Sequence, residues 1–360
     1  MSALRDRLIK NTTLDYTAQL DESDIFNNKD MVQTPVPGVN IALSGDLDGG
    51  LTPGLTLFCG PSKHFKTGYC LLLAKAYMDA YPDSVVMFYD NEFGAPKKYW
   101  ESYDIDMSRV IHNPFTNIEE LKFDLMKQLT DIKRGEKVFI LIDSVGNAAS
   151  KKEVEDALKE SEAADMTRAK QLKSVFRMIT PHLTLKDIPM VVVNHIYMTQ
   201  EKYSKAIVSG GTGIYLSADN IYIIGRQKDA EGQEINGWNF ILNVEKSRHV
   251  KEKSKIPMRI TYNGGIDVYS GIFDLAIEHG LIVQAGAWYQ IVDPDTGEIA
   301  PKKVRRADAE APAVLERIIK NEKFRQFVRD KYQVSGGKMI ADDSTDDEAE
   351  EFLDGIDDEE

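Results

Sequence analysis

The chain has 360 residues, 42% hydrophobic and 28% charged, which is enough to bury a large core and too apolar for wholesale disorder. Its formal net charge of −14 argues at face value against a polyanionic partner. Yet residues 341–360 hold 12 acidic residues and no basic ones, leaving only −2 on residues 1–340, so nucleic acid is not excluded.

Leu4, Leu8 and Ile9 share one side of a short predicted helix over residues 3–9, too short to persist alone, so it must dock on its own core or on a neighbouring subunit. The N-terminal stretch has no apolar signal core and no apolar run approaches the roughly 20 residues of a membrane span, so a cytoplasmic protein is expected. A polar stretch with Pro35, Pro37 and Gly38 follows from residue 21. From residue 55 short apolar runs alternate with helical patterns: LTLFCG (55–60), VVMFYD (85–90), KVFILID (137–143) and PMVVVNH (189–195), with helices over 66–80, 116–134 and 165–186. Such runs predict an α/β fold whose parallel strands are buried on both faces and joined by helical crossovers. Cys59 and Cys70 offer neither a disulfide framework nor metal-ligand spacing and read as reduced packing residues.

Two long segments, 150–165 and IYMTQEKYSKAIVSGGTG (196–213), read as loops. NIYIIG (220–225), NFILNVEK (239–246) and PMRITYN (257–263) are expected to extend the same sheet. A smaller unit is expected over about 271–340, with a helix at 272–279, a hairpin around the DPDTG turn (293–297) and one basic helix at 314–332. The acidic tail, dense in like charge, is expected to be disordered. The division is thus 1–35 (helix and linker), 36–270 (core), 271–340 (small domain) and 341–360 (tail).

The first strand runs into Gly60, Pro61, Ser62, Lys63, His64, Phe65, Lys66 and Thr67, with Gly68 opening the helical pattern. Strand, Gly-containing turn, Lys-Thr and helix describe a phosphate-binding loop, in which backbone N–H groups face phosphates, Lys66 reaches the β and γ phosphates and Thr67 binds Mg²⁺. Phe65 stands where this pattern has its second glycine. Ligands collect at the carboxyl ends of strands in open α/β sheets, and three strands end in polar residues. Asp143 is placed to orient Mg²⁺, Glu92 to polarise a water attacking the γ-phosphate, and Asn194 with His195 to bond that phosphate. In the 196–213 segment Lys202 and Lys205 with Tyr197 and Tyr203, closed by Gly210, Gly211 and Gly213, suit single-stranded nucleic acid, and by composition equally a plain surface loop. The cluster Lys302, Lys303, Arg305 and Arg306 suits duplex DNA or a solvated basic face.

GPSKHFKT, YDNEFG, LIDSVGNAASKKE, DMTRAK, NHIY, GGTG, NVEKSR and GGIDVYSG together resemble the RecA-type strand-exchange recombinases, and among them the UvsX-like phage proteins, over nearly the whole chain. In that light the aromatic Phe65 is a shared feature. The resemblance implies a RecA-like P-loop NTPase core and an ATP- and Mg²⁺-dependent, DNA-dependent ATPase. It would form a helical filament on single-stranded DNA, pair it with homologous duplex, and serve phage-type recombination, repair and recombination-dependent replication. It further implies that Glu92 is the catalytic glutamate, Tyr99 the aromatic on adenine, Asp143 the Mg²⁺-orienting aspartate and His195 the γ-phosphate sensor. Lys246 and Arg248 would reach a neighbour's ATP, the N-terminal helix would dock on the adjacent protomer, and a single-strand-binding protein and a recombination mediator would be partners, in the cytoplasm of a bacterial host. Two other readings fit the same nucleotide site: a hexameric RecA-like helicase motor, and a non-catalytic ATP-gated DNA-binding scaffold.

Overall fold

A computed structural model describes residues 3–27, 31–159, 167–199, 205–231 and 234–334. Its centre is one 9-stranded sheet. The strands are β1 (Gly54–Cys59), β2 (Val85–Asp90), β3 (Val110–Pro114), β4 (Val138–Asp143), β5 (Pro189–Asn194), β6 (Ile196–Met198), β7 (Ala206–Val208), β8 (Asn220–Glu231), β9 (Glu234–Lys246), β10 (Lys255–Thr261), β11 (Gly265–Ile266), β12 (Ile282–Ala285) and β13 (Trp288–Ile291). The sheet order is β11-β10-β9-β8-β1-β5-β4-β2-β3, parallel from β3 through β8 and antiparallel from β8 to β11. The four apolar runs form β1, β2, β4 and β5, parallel as expected, and β8, β9 and β10 extend the same sheet, while the edge strand β3 was not expected.

Every residue of β1, β4 and β5 is buried, so both sheet faces carry a core. Helices Ile118–Asp131 and Thr167–Lys186 cover one face through Leu121, Leu125, Val175 and Ile179. Helix Lys66–Ala80 covers the other and is apolar almost all round. That is possible because helix Pro37–Ser44 and the C-terminal elements share its core cluster, including Phe273, Leu315, Phe324 and Val328. The C-terminal elements comprise helices Ile272–His279, Pro312–Ile319 and Glu322–Tyr332 and the β12/β13 hairpin.

Several local expectations are corrected. Residues 150–165 do not begin as a loop: Ser150 Oγ accepts from Glu153 N and Glu153 reaches back to Ser150 N, a capping box that starts helix Lys151–Leu158. The 196–213 segment is partly paired, as β6 and β7 form an antiparallel hairpin closed by Thr199 N–H on Lys205 O at 2.9 Å. The DPDTG turn exists, flanked by a Val292–Ile299 bridge, but the strand hairpin turns earlier, between Ala285 and Trp288. The basic helix is two helices, because Asn321 caps the second by accepting from Phe324 N at 3.0 Å while its amide donates to Pro294 O at 2.8 Å. The acidic tail lies outside the described residues. Among the described residues no helix is long and apolar enough to cross a membrane.

Candidate functional site

The carboxyl ends of β1, β2, β4 and β5 open into a cleft of about 1130 Å³. Its floor is the loop after β1, where Ser62, Lys63, His64, Phe65, Lys66 and Thr67 all line the cleft. Lys63 and Phe65 hold left-handed backbone, φ 60° and 57°. For Phe65 that geometry is one glycine adopts freely and an L side chain adopts at a cost. Its ring meets Tyr69 edge-on at 5.4 Å and Phe240 at 5.8 Å, and it lies over Gly68, where a Cβ would stand 2.5 Å from two ring atoms. Gly60 continues the strand pairing through its N–H to Asn194 O at 3.2 Å, and Pro61 O accepts from Lys66 Nζ at 2.8 Å. Burial pulls the Lys66 ammonium below its ordinary pKa, opposed by the carboxylates of Glu92 and Asp143.

Asp143 ends β4 almost fully buried. Its Oδ2 accepts from Thr67 Oγ1 at 2.6 Å, while Oδ1 is buried with no partner among the described residues. Burial raises its pKa to about 6, the Thr67 bond opposing and the charges of Glu92 and Asp90 adding. A hydroxyl beside a carboxylate with an orphaned buried oxygen is the hard-oxygen donor set that suits Mg²⁺.

Glu92 stands beyond β2, where Asp90 Oδ1 anchors its loop by accepting the N–H groups of Glu92 at 3.1 Å and Phe93 at 2.8 Å. Three donors converge on Glu92 Oε1: the Ser144 hydroxyl, Asn147 Nδ2 at 3.2 Å and His195 Nε2 at 2.8 Å. A carboxylate only accepts, so His195 is the tautomer with a proton on Nε2. The His195 bond, then that from Ser144, holds the Glu92 carboxyl below the usual range against the effect of burial. The His195 ring lies on Gly146, where a Cβ would stand 2.5 Å from Cδ2. Its backbone carries the hairpin, since His195 O accepts from Ser209 N at 2.9 Å and Asn194 Nδ2 donates to Ser209 O at 2.8 Å.

Tyr99 lines the cleft beside Tyr103, their rings 5.7 Å apart. Ser144, Asn147, Arg226, Trp238 and Tyr262 were not singled out from sequence. Ser144 directly follows the strand-ending Asp143, and that position is the signal that was there to find. Lys246 and Arg248 are not among the cleft residues: β9 runs against β8, so Lys246 lies opposite Ile221, at the other end of the sheet. There Lys246 Nζ caps the carbonyls of Tyr215 and Leu216 at 3.0 and 3.1 Å, and Arg248 pairs with Asp219. Lys202 and Tyr203 lie outside the described residues. Lys205 is exposed at the hairpin's end and Tyr197 is exposed on β6. Gly210 and Gly211 hold φ 96° and 76°, and Gly213 packs so closely on Lys173 that a Cβ would lie 2.6 Å from it. In the basic cluster Lys302, Lys303, Arg305 and Arg306 are all exposed, Arg306 pairing on the surface with Glu310 at 2.8 Å.

Residues 269–328 match the family model described as bacteriophage T4 recombination and repair protein, C-terminal domain. The chain is 45% identical over 358 residues to the recombination and repair protein of enterobacteria phage T4, covering 98% of this chain and 91% of that protein. It is 26% identical over 324 residues to protein RecA of Arthrobacter sp. (strain FB24), covering 84% of this chain and 88% of the relative. Protein RecA of Colwellia psychrerythraea is 26% identical over 266 residues, 72% of this chain and 73% of that one.

Proposed function

Because the chain belongs to the family of the phage T4 recombination and repair protein, within the RecA-type recombinases, we propose that its cleft binds and hydrolyses ATP to drive homologous pairing and strand exchange on single-stranded DNA. The observation that carries this reading is the Glu92–His195 hydrogen bond at 2.8 Å, set beside the Thr67–Asp143 pair and the phosphate loop. Lys66 would neutralise phosphate charge, and Thr67 with Asp143 would hold Mg²⁺, whose chemistry when bound would be to draw charge from phosphate oxygens. Glu92, kept ionised by its three donors on Oε1, uses Oε2 to accept the proton of an attacking water. Its bond to His195 joins the base to the residue from which the β6/β7 hairpin starts, so a shift of the imidazole toward a phosphate alters both. Tyr99 offers the base a ring to stack on.

The same reading makes residues 1–35 a docking arm. Helix Ala3–Asn11 buries none of its residues, and Leu4 and Leu8 are 54% and 60% exposed. A heterologous contact of this kind propagates into a filament. Lys246 and Arg248, at the end of the sheet remote from the chain's own cleft, would serve a neighbour's by exchanging their present bonds to Tyr215, Leu216 and Asp219. Lys202, Tyr203, Lys205, Gly210, Gly211 and Gly213 would form the single-strand contact and Lys302, Lys303, Arg305 and Arg306 the duplex contact on residues 271–340, with a single-strand-binding protein and a mediator as partners.

A strand-exchange assay with and without ATP is the test, paired with Glu92→Gln. The variant should keep nucleotide binding and lose about 10²- to 10⁴-fold in ATP turnover. Unwinding by closed rings without exchange would make the protein a helicase motor, and undetectable turnover with single-stranded DNA present would make it a scaffold.

A further inference from the structure

The antiparallel ribbon β8/β9 runs past the end of the parallel strands, and three of its side chains line the cleft with the phosphate loop: Arg226 of β8, and Trp238 and Phe240 of β9. Arg226 Nη1 donates to Lys63 O at 3.0 Å. Its guanidinium lies 4.3 Å from the centre of the Trp238 ring, and the indole Nε1 donates to Tyr262 OH at 2.9 Å. Tyr262, at the end of β10, lines the cleft as well. Among the described residues no carboxylate pairs with Arg226, whereas Arg259, on β10 beyond β9, is paired with Asp229 at 2.7 Å. The ribbon thus places a cation, without a carboxylate partner among the described residues, against the tip of the phosphate loop and seats it on an aromatic face, which restricts its planar fork.

The bond to Lys63 O has a geometric consequence. In a trans peptide the carbonyl and the following N–H point in opposite directions. Holding the Lys63 carbonyl therefore also holds the His64 N–H, one of the loop amides available to a phosphate. The tip needs such a hold, because Lys63 and Phe65 both sit in left-handed backbone that a free loop does not favour.

We propose that Arg226, braced by Trp238, is a positioning residue of the phosphate loop: it fixes the Lys63–His64 peptide in the orientation that binds the β and γ phosphates. This inference rests on the nucleotide reading of the cleft. It assigns Arg226 to binding and leaves turnover to the Glu92 cluster.

The experiment measures ATP, ADP and AMP affinity by calorimetry and steady-state ATP turnover for the wild type, Arg226→Ala, Arg226→Lys and Trp238→Phe. A lost hydrogen bond to a charged group corresponds to about 10- to 100-fold in affinity. Arg226→Ala should therefore weaken ATP and ADP by that factor, raise the KM to match and leave kcat within about threefold, with AMP little changed. Arg226→Lys should recover part of the loss, since an ammonium keeps the charge without the fork or the stacking. Tryptophan emission should change when the wild type binds ATP, and this change should vanish in Trp238→Phe and shrink in Arg226→Ala. Unchanged ATP affinity in Arg226→Ala, or a lower kcat at constant KM, overturns the proposal. If Arg226→Ala does not fold, Arg226→Lys and Trp238→Phe decide: wild-type affinity and wild-type emission response in both overturn it. A wild type that binds no ATP would instead sink the nucleotide reading itself.

Discussion

Phe65 and Gly68 form a coupled pair whose mutation effects should change sign with context. In the native background a Cβ on Gly68 would lie 2.5, 2.5 and 2.8 Å from atoms of the Phe65 ring, which is itself held between Tyr69 and Phe240. Gly68→Ala must push the ring off that seat, an overpacking that costs about 1–3 kcal/mol. Phe65→Gly removes the ring. It loses about 2 kcal/mol of half-buried aromatic packing, taken as half the cost of truncating a fully buried Phe. Relief of left-handed strain at φ 57° returns about 1–2 kcal/mol, and the extra freedom of an unfolded glycine costs about 0.5–1 kcal/mol. The net is a loss of about 1 kcal/mol. With the ring gone, Gly68→Ala only exchanges glycine for a better helix former in helix Lys66–Ala80, a gain of up to about 1 kcal/mol. Thermal melts of the four proteins check this, at roughly 2–4 °C per kcal/mol for a domain of 150–250 residues and at the lower end for a longer chain. Gly68→Ala should lower Tm by about 2–6 °C in the wild type and raise it slightly in Phe65→Gly, a coupling of about 1–4 kcal/mol. A shift of equal sign and size in both backgrounds would refute the reasoning.

Ser144→Ala removes one of the donors that hold Glu92 ionised, so the Glu92 pKa should rise and the acid limb of the pH–turnover profile should move to higher pH. The stability that Glu92 contributes above the ordinary carboxylate range, lost as pH falls through its depressed folded pKa, should shrink in the same variant, as acid unfolding would reveal. Both cysteines are buried, and burial pushes the Cys59 thiol up to about 12, so neither should react with iodoacetamide at pH 8 until the protein is unfolded, as mass spectrometry can count. Deleting residues 341–360 removes 12 negative charges and should raise single-stranded DNA affinity, most at low salt. Equal affinities across a salt series would show that the tail does not compete with DNA.

The parallel strands were legible because their physics is local. A run such as VFILID, buried at every position between two helical layers, has no alternation to confuse with a surface strand, and the turn chemistry at Gly60–Thr67 marks the end of β1. β3 escaped because it is the sheet's edge: Ile111, His112 and Pro114 face solvent, and VIHNP has the composition of a loop. Helix Lys151–Leu158 escaped for a different reason. Ser150 and Glu153 stand at capping-box spacing, but the mixed charge around them obscures an amphipathic face that buries nothing among the described residues.

The candidate site was legible one residue at a time and illegible as a constellation. Position at a strand end places Glu92, Asp143 and His195 on one side of the sheet, and that rule needs no contact information. The bond between Glu92 and His195 spans 103 residues and depends on sheet order, because β5 reaches β2 only through β4. Without that order, each of the two residues has its own reading, a water-polarising base and a phosphate-bonding imidazole. With it they share one hydrogen bond, so a shift of the imidazole changes the hydrogen bonding of Glu92. Ser144 and Asn147 belong to the loop after β4, the strand between those two, so they reach Glu92 only once the strand order is known. Lys246 and Arg248 show the converse: they follow an apolar strand just as Asp143 does, yet β9 is antiparallel to β8, which carries them to the opposite end of the sheet. Strand direction, which no local pattern encodes, decides which strand-end residues share a cleft.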